Sequence, residues 1–154
     1  MKKVTAKVSL QPVSKENLYE ILKLQVNEEQ RRFVASNAAS IAEAFYEDHA
    51  WFRAIYAGDT PVGFVMLSLN EAESDYSLWR FMIDESHQGK GYGRDAIKLV
   101  IEKVRTMPGA EKLDLSYVPG DGGPAGFYQS FGFEETGEMD GDERVMRLTF
   151  TSKN

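Results

Sequence analysis

The stretch HQGKGYGRDAIKLVIEKV, from His87 to Val104, sets glycines at 89, 91 and 93 directly ahead of an amphipathic run. Glycine is cheap only where the backbone needs a positive φ or where something must approach it closely; elsewhere it loses conformational entropy on folding. Before the glycines, YSLWRFMID (Tyr76 to Asp84) reads as a strand. After them, Ala96, Ile97, Val100, Ile101 and Val104 recur at helical spacing and stop before Pro108. Strand, glycine loop and helix N-terminus in that order present free backbone N–H groups and a positive helix end to an anion, so the expected ligand carries phosphate. Two familiar phosphate loops do not fit. Gly89-Lys90 continues into Gly91 and not into the Ser/Thr of a P-loop, and Arg94 stands where a dinucleotide fingerprint needs its third glycine.

Elements alternate closely on either side of this junction, with no linker, repeat or low-complexity tract. KVSLQPV reads as a strand. Ser14 is the expected N-cap of an amphipathic helix carrying Leu18, Ile21, Leu22 and Gln25, and Ser40 with Glu43 has the capping-box spacing of a second helix. WFRAIYAGDTPVGFVMLSLN reads as a hairpin turning at Gly58-Asp59, and KLDLSYV as a further strand. GPAGFYQSFGF reads as a short helix broken by Gly132, followed by a closing pair of strands ending in RVMRLTF. The order β-α-α-β-β-β-α-β-α-β-β predicts a mixed α/β layer fold.

Composition narrows the function classes. A chain of 154 residues, 42% hydrophobic, is long enough for one core and is read as one domain over 1–154. Its 24 acidic against 18 basic residues give a net charge of −6, which argues against nucleic acid or an anionic membrane and for a cationic or neutral partner. No cysteine is present, so disulfides, thiolate metal sites and cysteine nucleophiles are excluded. The start MKKVTAKVSLQPV lacks the apolar run of a signal peptide, and no stretch approaches the roughly 20 apolar residues of a membrane span, so a cytoplasmic protein is expected. Two histidines without an H-E-x-x-H pattern offer no metal site.

Gln88-Gly89-Lys90-Gly91-Tyr92-Gly93 also fits Q-x-x-G-x-G, and further on FYQSFGF (Phe127 to Phe133) places a tyrosine on a short helix ahead of a strand. With these two motifs in order, the chain resembles the GNAT N-acetyltransferase superfamily over nearly its whole length. LQVNEEQRRFVASNAASIAEA, PVGFVML, WRFMID and GDERVMRL are similar to bacterial diamine and spermine/spermidine acetyltransferases. The resemblance implies the GNAT acyl-CoA N-acyltransferase fold, a central, mixed, mostly antiparallel and splayed β-sheet flanked by about four helices, with acetyl-CoA as co-substrate and no metal.

It also implies roles residue by residue. Phe81, Met82 and Ile83 match the strand whose backbone pairs with the pantetheine arm, and Gln88, Gly89, Lys90, Gly91, Tyr92, Gly93 and Arg94 match the phosphate cradle. Phe127 lies in the second motif. Tyr128 matches the general acid that protonates the departing thiolate, and a phenol of pKa near 10 holds its proton at neutral pH. The chain departs from the family pattern at Asp121, which stands where an asparagine often contacts the pantetheine arm and which accepts but does not donate when ionised. It departs again near Ser77, where some relatives carry an acidic base.

A base is needed, because an alkylamine of pKa near 10.4 is mostly ammonium at pH 7 and attacks a thioester only after losing a proton. Glu28 and Glu29 are the preferred candidates as base and as partners of a polycation, with Glu71, Glu73 and Asp75 in the acidic loop NEAESDY behind them; His49 and His87 are further candidates. Trp79 is a candidate wall of the acceptor tunnel. Without a cysteine to carry an acetyl group, direct transfer to a primary amine is expected, most simply of a diamine or polyamine. An aminoglycoside or peptide α-amine acetyltransferase, or a CoA-binding regulatory module with little turnover, is the alternative, and a homodimer is the assembly that the resemblance implies.

Overall fold

The computed structural model describes residues 6–31 and 33–151. The basic start over residues 1–5 lies outside them. In chain order the elements are β1 (Val8–Gln11), α1 (Leu18–Lys23), α2 (Asn37–Ala44), β2 (Ala50–Ala57), β3 (Thr60–Asn70), β4 (Asp75–Ile83), α3 (Tyr92–Arg105), β5 (Lys112–Tyr117), α4 (Ala125–Gln129), β6 (Glu134–Asp140) and β7 (Glu143–Thr149). This is the expected alternation. The strands form one sheet in the order β1-β2-β3-β4-β5-β7-β6, antiparallel throughout except where β4 meets β5.

Each face of the sheet has its own core, and strand alternation assigns residues to them. On one face Val65, Leu67, Tyr76, Leu78, Leu113, Leu115 and Met146 pack with Ala96, Ile97, Val100 and Val104 of α3. On the other, Ala54, Phe64, Met66 and Met82 pack with Ile21 of α1, while Ile41 and Ala44 of α2 close over them. The helix starts differ from expectation. α1 begins after Asn17, not at Ser14, because the Asn17 Oδ1 accepts from the Ser14 N–H at 2.7 Å and holds that serine in the preceding turn. Ser36 caps α2, accepting from the Ala39 N–H at 3.1 Å, whereas Ser40 is fully buried and its hydroxyl donates to the Ser36 carbonyl from within the helix. Leu22 of the predicted apolar stripe is exposed, because α1 ends at Lys23 and the chain turns Val26 into the core instead.

Two irregularities shape the middle of the sheet. Met66 pairs with Arg80 but Leu67 pairs with Leu78, so Trp79 is an extra residue in β4, a β-bulge. The bulge resets the alternation: Leu78 faces α3, Trp79 and Arg80 both face α1 and α2, and Phe81 faces α3 again. Parallel pairing of β4 with β5 covers only Ser77 with Asp114 and Leu78 with Leu115. Beyond those rungs the strands part.

α3 starts at a glycine for a backbone reason. Gly89 (φ +78°) and Gly91 (φ +85°) occupy the left-handed region that L-residues avoid, and a Cβ on either would meet nothing within 4 Å. Gly93 differs, because a Cβ there would touch Ile83 at 3.4 Å, Phe81 at 3.5 Å and Phe127 at 3.7 Å, all ordinary contacts. Gly91→Ala is therefore expected to cost about 1–2 kcal/mol, whereas Gly93→Ala, on the first turn of a helix, is expected to be neutral or to stabilise by up to about 1 kcal/mol. Urea unfolding of the two variants checks the contrast.

Two acids tie the sheet together. Asp114 accepts from Arg147 at 2.7 and 3.1 Å and from Lys112 at 3.3 Å. Burial raises its pKa, but the Arg147 hydrogen bonds and the Lys112 charge outweigh that and leave it below the ordinary value. Asp84 is shifted the same way, burial being outweighed by hydrogen bonds from Ser86 and Gln25. A depressed folded pKa contributes stability above the unfolded value near 3.9, and that stability is lost as pH falls through the folded one. The unfolding midpoint should hold from neutral pH to about 4 and decline below it. In Asp114→Asn the midpoint should be lower at neutral pH and the acid decline shallower; an unchanged decline would show that Asp114 is not its source.

Candidate active site

The parting of β4 and β5 opens a cleft of about 1050 Å³. Leu78 and Leu115 line it where the strands separate, β4 from Trp79 to Ile83 forms one wall, and Ser116, Tyr117 and Val118 begin the other. Among the described residues no strand pairs with β4 on this side past Leu78, so this edge is open to an extended ligand in the manner of an added strand. The glycine loop and the α3 N-terminus close one end. The first helical bond of α3 runs from the Asp95 N–H to the Gly91 carbonyl, which leaves the N–H groups of Tyr92, Gly93 and Arg94 without partners inside the helix. Gly89, Gly91, Tyr92, Gly93, Arg94 and His87 line the cleft there.

α4 supplies the aromatic side of the cleft. Phe127 stacks on Phe81, centroids 5.9 Å apart and planes 12° from parallel, and makes edge contacts with Tyr128 and Phe131. Tyr128 lies edge-on to Phe133 in turn, 8% exposed, lining the cleft with no described residue accepting from its hydroxyl. Burial pushes its pKa far above the ordinary tyrosine value, so the phenol is neutral at physiological pH. Arg94 donates to the Ser130 hydroxyl at 3.1 Å and lies over the Phe131 ring, 4.8 Å from its centroid, so this cation is anchored to the end of α4 at the rim.

The site residues expected from sequence divide in two. Phe81, Met82, Ile83, Gln88, Gly89, Gly91, Tyr92, Gly93, Arg94, Phe127, Tyr128 and Trp79 are brought together around the cleft. Lys90 and Asp121 are adjacent to lining residues but do not line it, and Glu28, Glu29 and Asp75 are exposed outside it. Glu28 and Glu29 lie on a 3-10 turn whose third residue, Gln30, does reach the cleft. The Gln88 side chain, expected at the phosphates, instead donates to the Gln30 Oε1 at 2.8 Å and to the Ile83 carbonyl at 2.9 Å.

Other lining residues carry no local motif. Asp140, Asp142 and Glu143, on the turn between β6 and β7, edge the cleft. Alternation places this turn on the α1/α2 side: Leu113, Leu115 and Tyr117 face α3, so Ser116 faces the other way, and its hydroxyl meets the Asp140 carboxylate at 3.3 Å. Arg80 faces the same side, donating to the Trp79 carbonyl at 3.0 Å and to Glu43 of α2 at 3.1 Å. The only sequence signal for the acidic turn is a Gly-Asp hairpin between two polar strands. Among the described residues no group of three or more His, Asp or Glu is placed to hold a metal, and no helix is long and apolar enough to cross a membrane.

Comparison with known proteins gives the site its chemistry. The acetyltransferase (GNAT) family model matches residues 8–133. A spermine/spermidine N(1)-acetyltransferase of Bacillus subtilis strain 168 is 30% identical over 150 residues, covering 90% of this chain and 96% of that protein. The fold is shared with a PaiA N-acetyltransferase from Thermoplasma acidophilum, solved in complex with coenzyme A, at TM-score 0.66, 16% identity and coverage of 94% of this chain and 99% of that one. It is shared too with a variant of the SpeG spermidine N-acetyltransferase from Vibrio cholerae, at TM-score 0.71 and 16% identity, covering 92% of this chain and 93% of that one. The chain belongs to the GNAT acetyltransferase family and is an acetyl-CoA-dependent N-acetyltransferase.

Proposed function

We propose that the protein acetylates a primary amine of a diamine or polyamine such as spermidine or spermine. The observation that carries this reading is the acidic turn, Asp140, Asp142 and Glu143, edging the cleft on the face opposite Tyr128. Carboxylates there match an acceptor with more than one ammonium group. The likeness to a spermine/spermidine acetyltransferase supports the same substrate class. Glu28 and Glu29 act one step back, adding negative charge beside Gln30, and Asp75 lies farther from the cleft.

The structure fits acetyl-CoA in three places. The N–H groups of Tyr92, Gly93 and Arg94 suit a pyrophosphate. The edge from Trp79 to Ile83, which no described strand pairs on this side, suits an extended arm, and the rings of Phe81, Phe127 and Tyr128 suit a thioester. Lys90 and Arg94 supply positive charge at the phosphate end. When bound, acetyl-CoA supplies the activated acyl group and leaves as a thiol. The chain's own part is to position and to manage protons. A carboxylate of the acidic turn or the Glu28–Glu29 pair, acting through water, takes the ammonium proton. Tyr128, its pKa raised by burial, keeps its proton and donates a hydrogen bond to the departing sulfur, which takes up the second proton that the attacking nitrogen loses as the amide forms and so leaves as the thiol. A homodimer in the cytoplasm remains the expected setting.

Thiol release from acetyl-CoA with putrescine, spermidine, spermine, lysine, a short peptide and an aminoglycoside tests the reading. Selective turnover of polyamines is expected. Asp140→Asn and Glu143→Gln should each raise KM for spermidine several-fold and for a monoamine much less. Tyr128→Phe, which removes one hydrogen-bond donor to the charge developing on sulfur, should lower kcat by about 10²-fold with coenzyme affinity retained. Coenzyme binding without turnover of any amine would put the regulatory-module reading in its place.

A further inference from the structure

Gln88 opens the glycine loop, yet both hydrogens of its side-chain amide are used away from it. One goes to the Ile83 carbonyl at 2.9 Å and the other to the Gln30 Oε1 at 2.8 Å. Gln30 ends the 3-10 turn between α1 and α2, which Asn27 caps by accepting the Gln30 N–H at 3.0 Å. The segment holding that turn runs along the α1/α2 side of the cleft, which Val26, Gln30, Phe33, Val34 and Ala35 line. Its beginning is pinned to the end of β4: the Gln25 N–H donates to the Asp84 Oδ1 at 2.9 Å and the Glu85 N–H to the Gln25 carbonyl at 2.9 Å. Its far side reaches the other lip, where a Cβ on Gly123 would come within 3.2 Å of the Phe33 ring. The segment is therefore a strap across the cleft, joined to the glycine loop through one pair of amide side chains.

We infer that Gln30 and Gln88 are positioning residues that couple the two substrate sites: acetyl-CoA seated on the glycine loop fixes the strap, and the strap completes the amine site. The inference rests on the proposed placement of the coenzyme on that loop. Neither side chain is asked to touch a reacting atom. A ligand that holds residues 88–94 restricts Gln88, and Gln88 restricts Gln30; the ordering of the strap is then already in place when the amine arrives. Coupling of this kind is reciprocal, so the amine must tighten the coenzyme by the factor by which the coenzyme tightens the amine, typically about fivefold or more.

Hydrogen exchange of the full chain with and without CoA, in the wild type, Gln30→Met and Gln30→Glu, tests this. Methionine keeps the length of glutamine but has no strong acceptor for the Gln88 amide, whereas glutamate keeps the acceptor. In the wild type CoA should slow exchange both in 88–94 and in 25–31. In Gln30→Met the protection of 88–94 should stay and that of 25–31 should be lost, and Gln30→Glu should restore it. Steady-state kinetics should follow, with KM for spermidine raised at least fivefold in Gln30→Met, more than KM for acetyl-CoA, and recovered in Gln30→Glu. Equal protection of 25–31 in wild type and Gln30→Met, or none in the wild type beside a protected 88–94, would overturn the inference alone. Failure of CoA to protect 88–94 in the wild type would overturn the coenzyme placement, and this inference with it.

Discussion

The arrangement depends on a parallel contact that stops early. β4 and β5 share the rungs at Ser77 and Leu78 and then separate, although both strands continue. A sheet that zipped fully here would have no cleft, because the β4 main chain would spend its hydrogen bonds on β5 and the two cores would be sealed from each other. The early stop leaves the run from Trp79 to Ile83 without a strand partner on that side among the described residues and lets a ligand occupy the plane of the sheet itself. α3 then aims its N-terminus along the gap and α4 walls it with aromatic rings.

Ion pairing and burial divide the work. The Asp114–Arg147 pair bridges β5 to β7 just below the point of separation, holding the outer strands as a unit while the inner edge stays open. Burial of the Tyr128 ring among Phe127, Phe133 and the cleft wall holds the phenol neutral, and its hydroxyl has no acceptor among the described residues. The same burial that makes the phenol a poor acid keeps it protonated, so its O–H remains present to donate.

Much of this was legible before any coordinates. The apolar run YSLWRFMID, helical spacing from Ala96 to Val104 and the three glycines between them identified strand, loop and helix, because each is a short-range consequence of backbone sterics and local hydrophobic period. The bulge was not readable, since strict alternation would put Trp79 and Phe81 on one face and the structure puts them on opposite faces. The helix starts were missed where competition was local but not readable: Ser14, Asn17, Ser36 and Ser40 are all competent caps, and the Ser14–Asn17 hydrogen bond set the first start while burial of Ser40 inside the helix left the second to Ser36. The carboxylates of the β6–β7 turn were not singled out for a longer-range reason. Glu28 and Asp140 look alike in sequence, and only the β5–β7 register, which carries the β6–β7 turn to the mouth of the cleft, distinguishes them. Gln88 was legible as part of a motif but not as a tether, since its partner lies 58 positions away.

The extra residue at Trp79 has a consequence for how this site tolerates change. Above the bulge the side chains of β4 alternate in one phase and below it in the other. Removing the extra residue would therefore exchange nothing: Leu78, Arg80, Phe81, Met82 and Ile83 would alternate plainly, and each would keep the face it has now. What would go is the bend and added twist that an extra residue gives a strand, at the place where β4 leaves β5. A chain that lost it would keep both cores while straightening the wall between them.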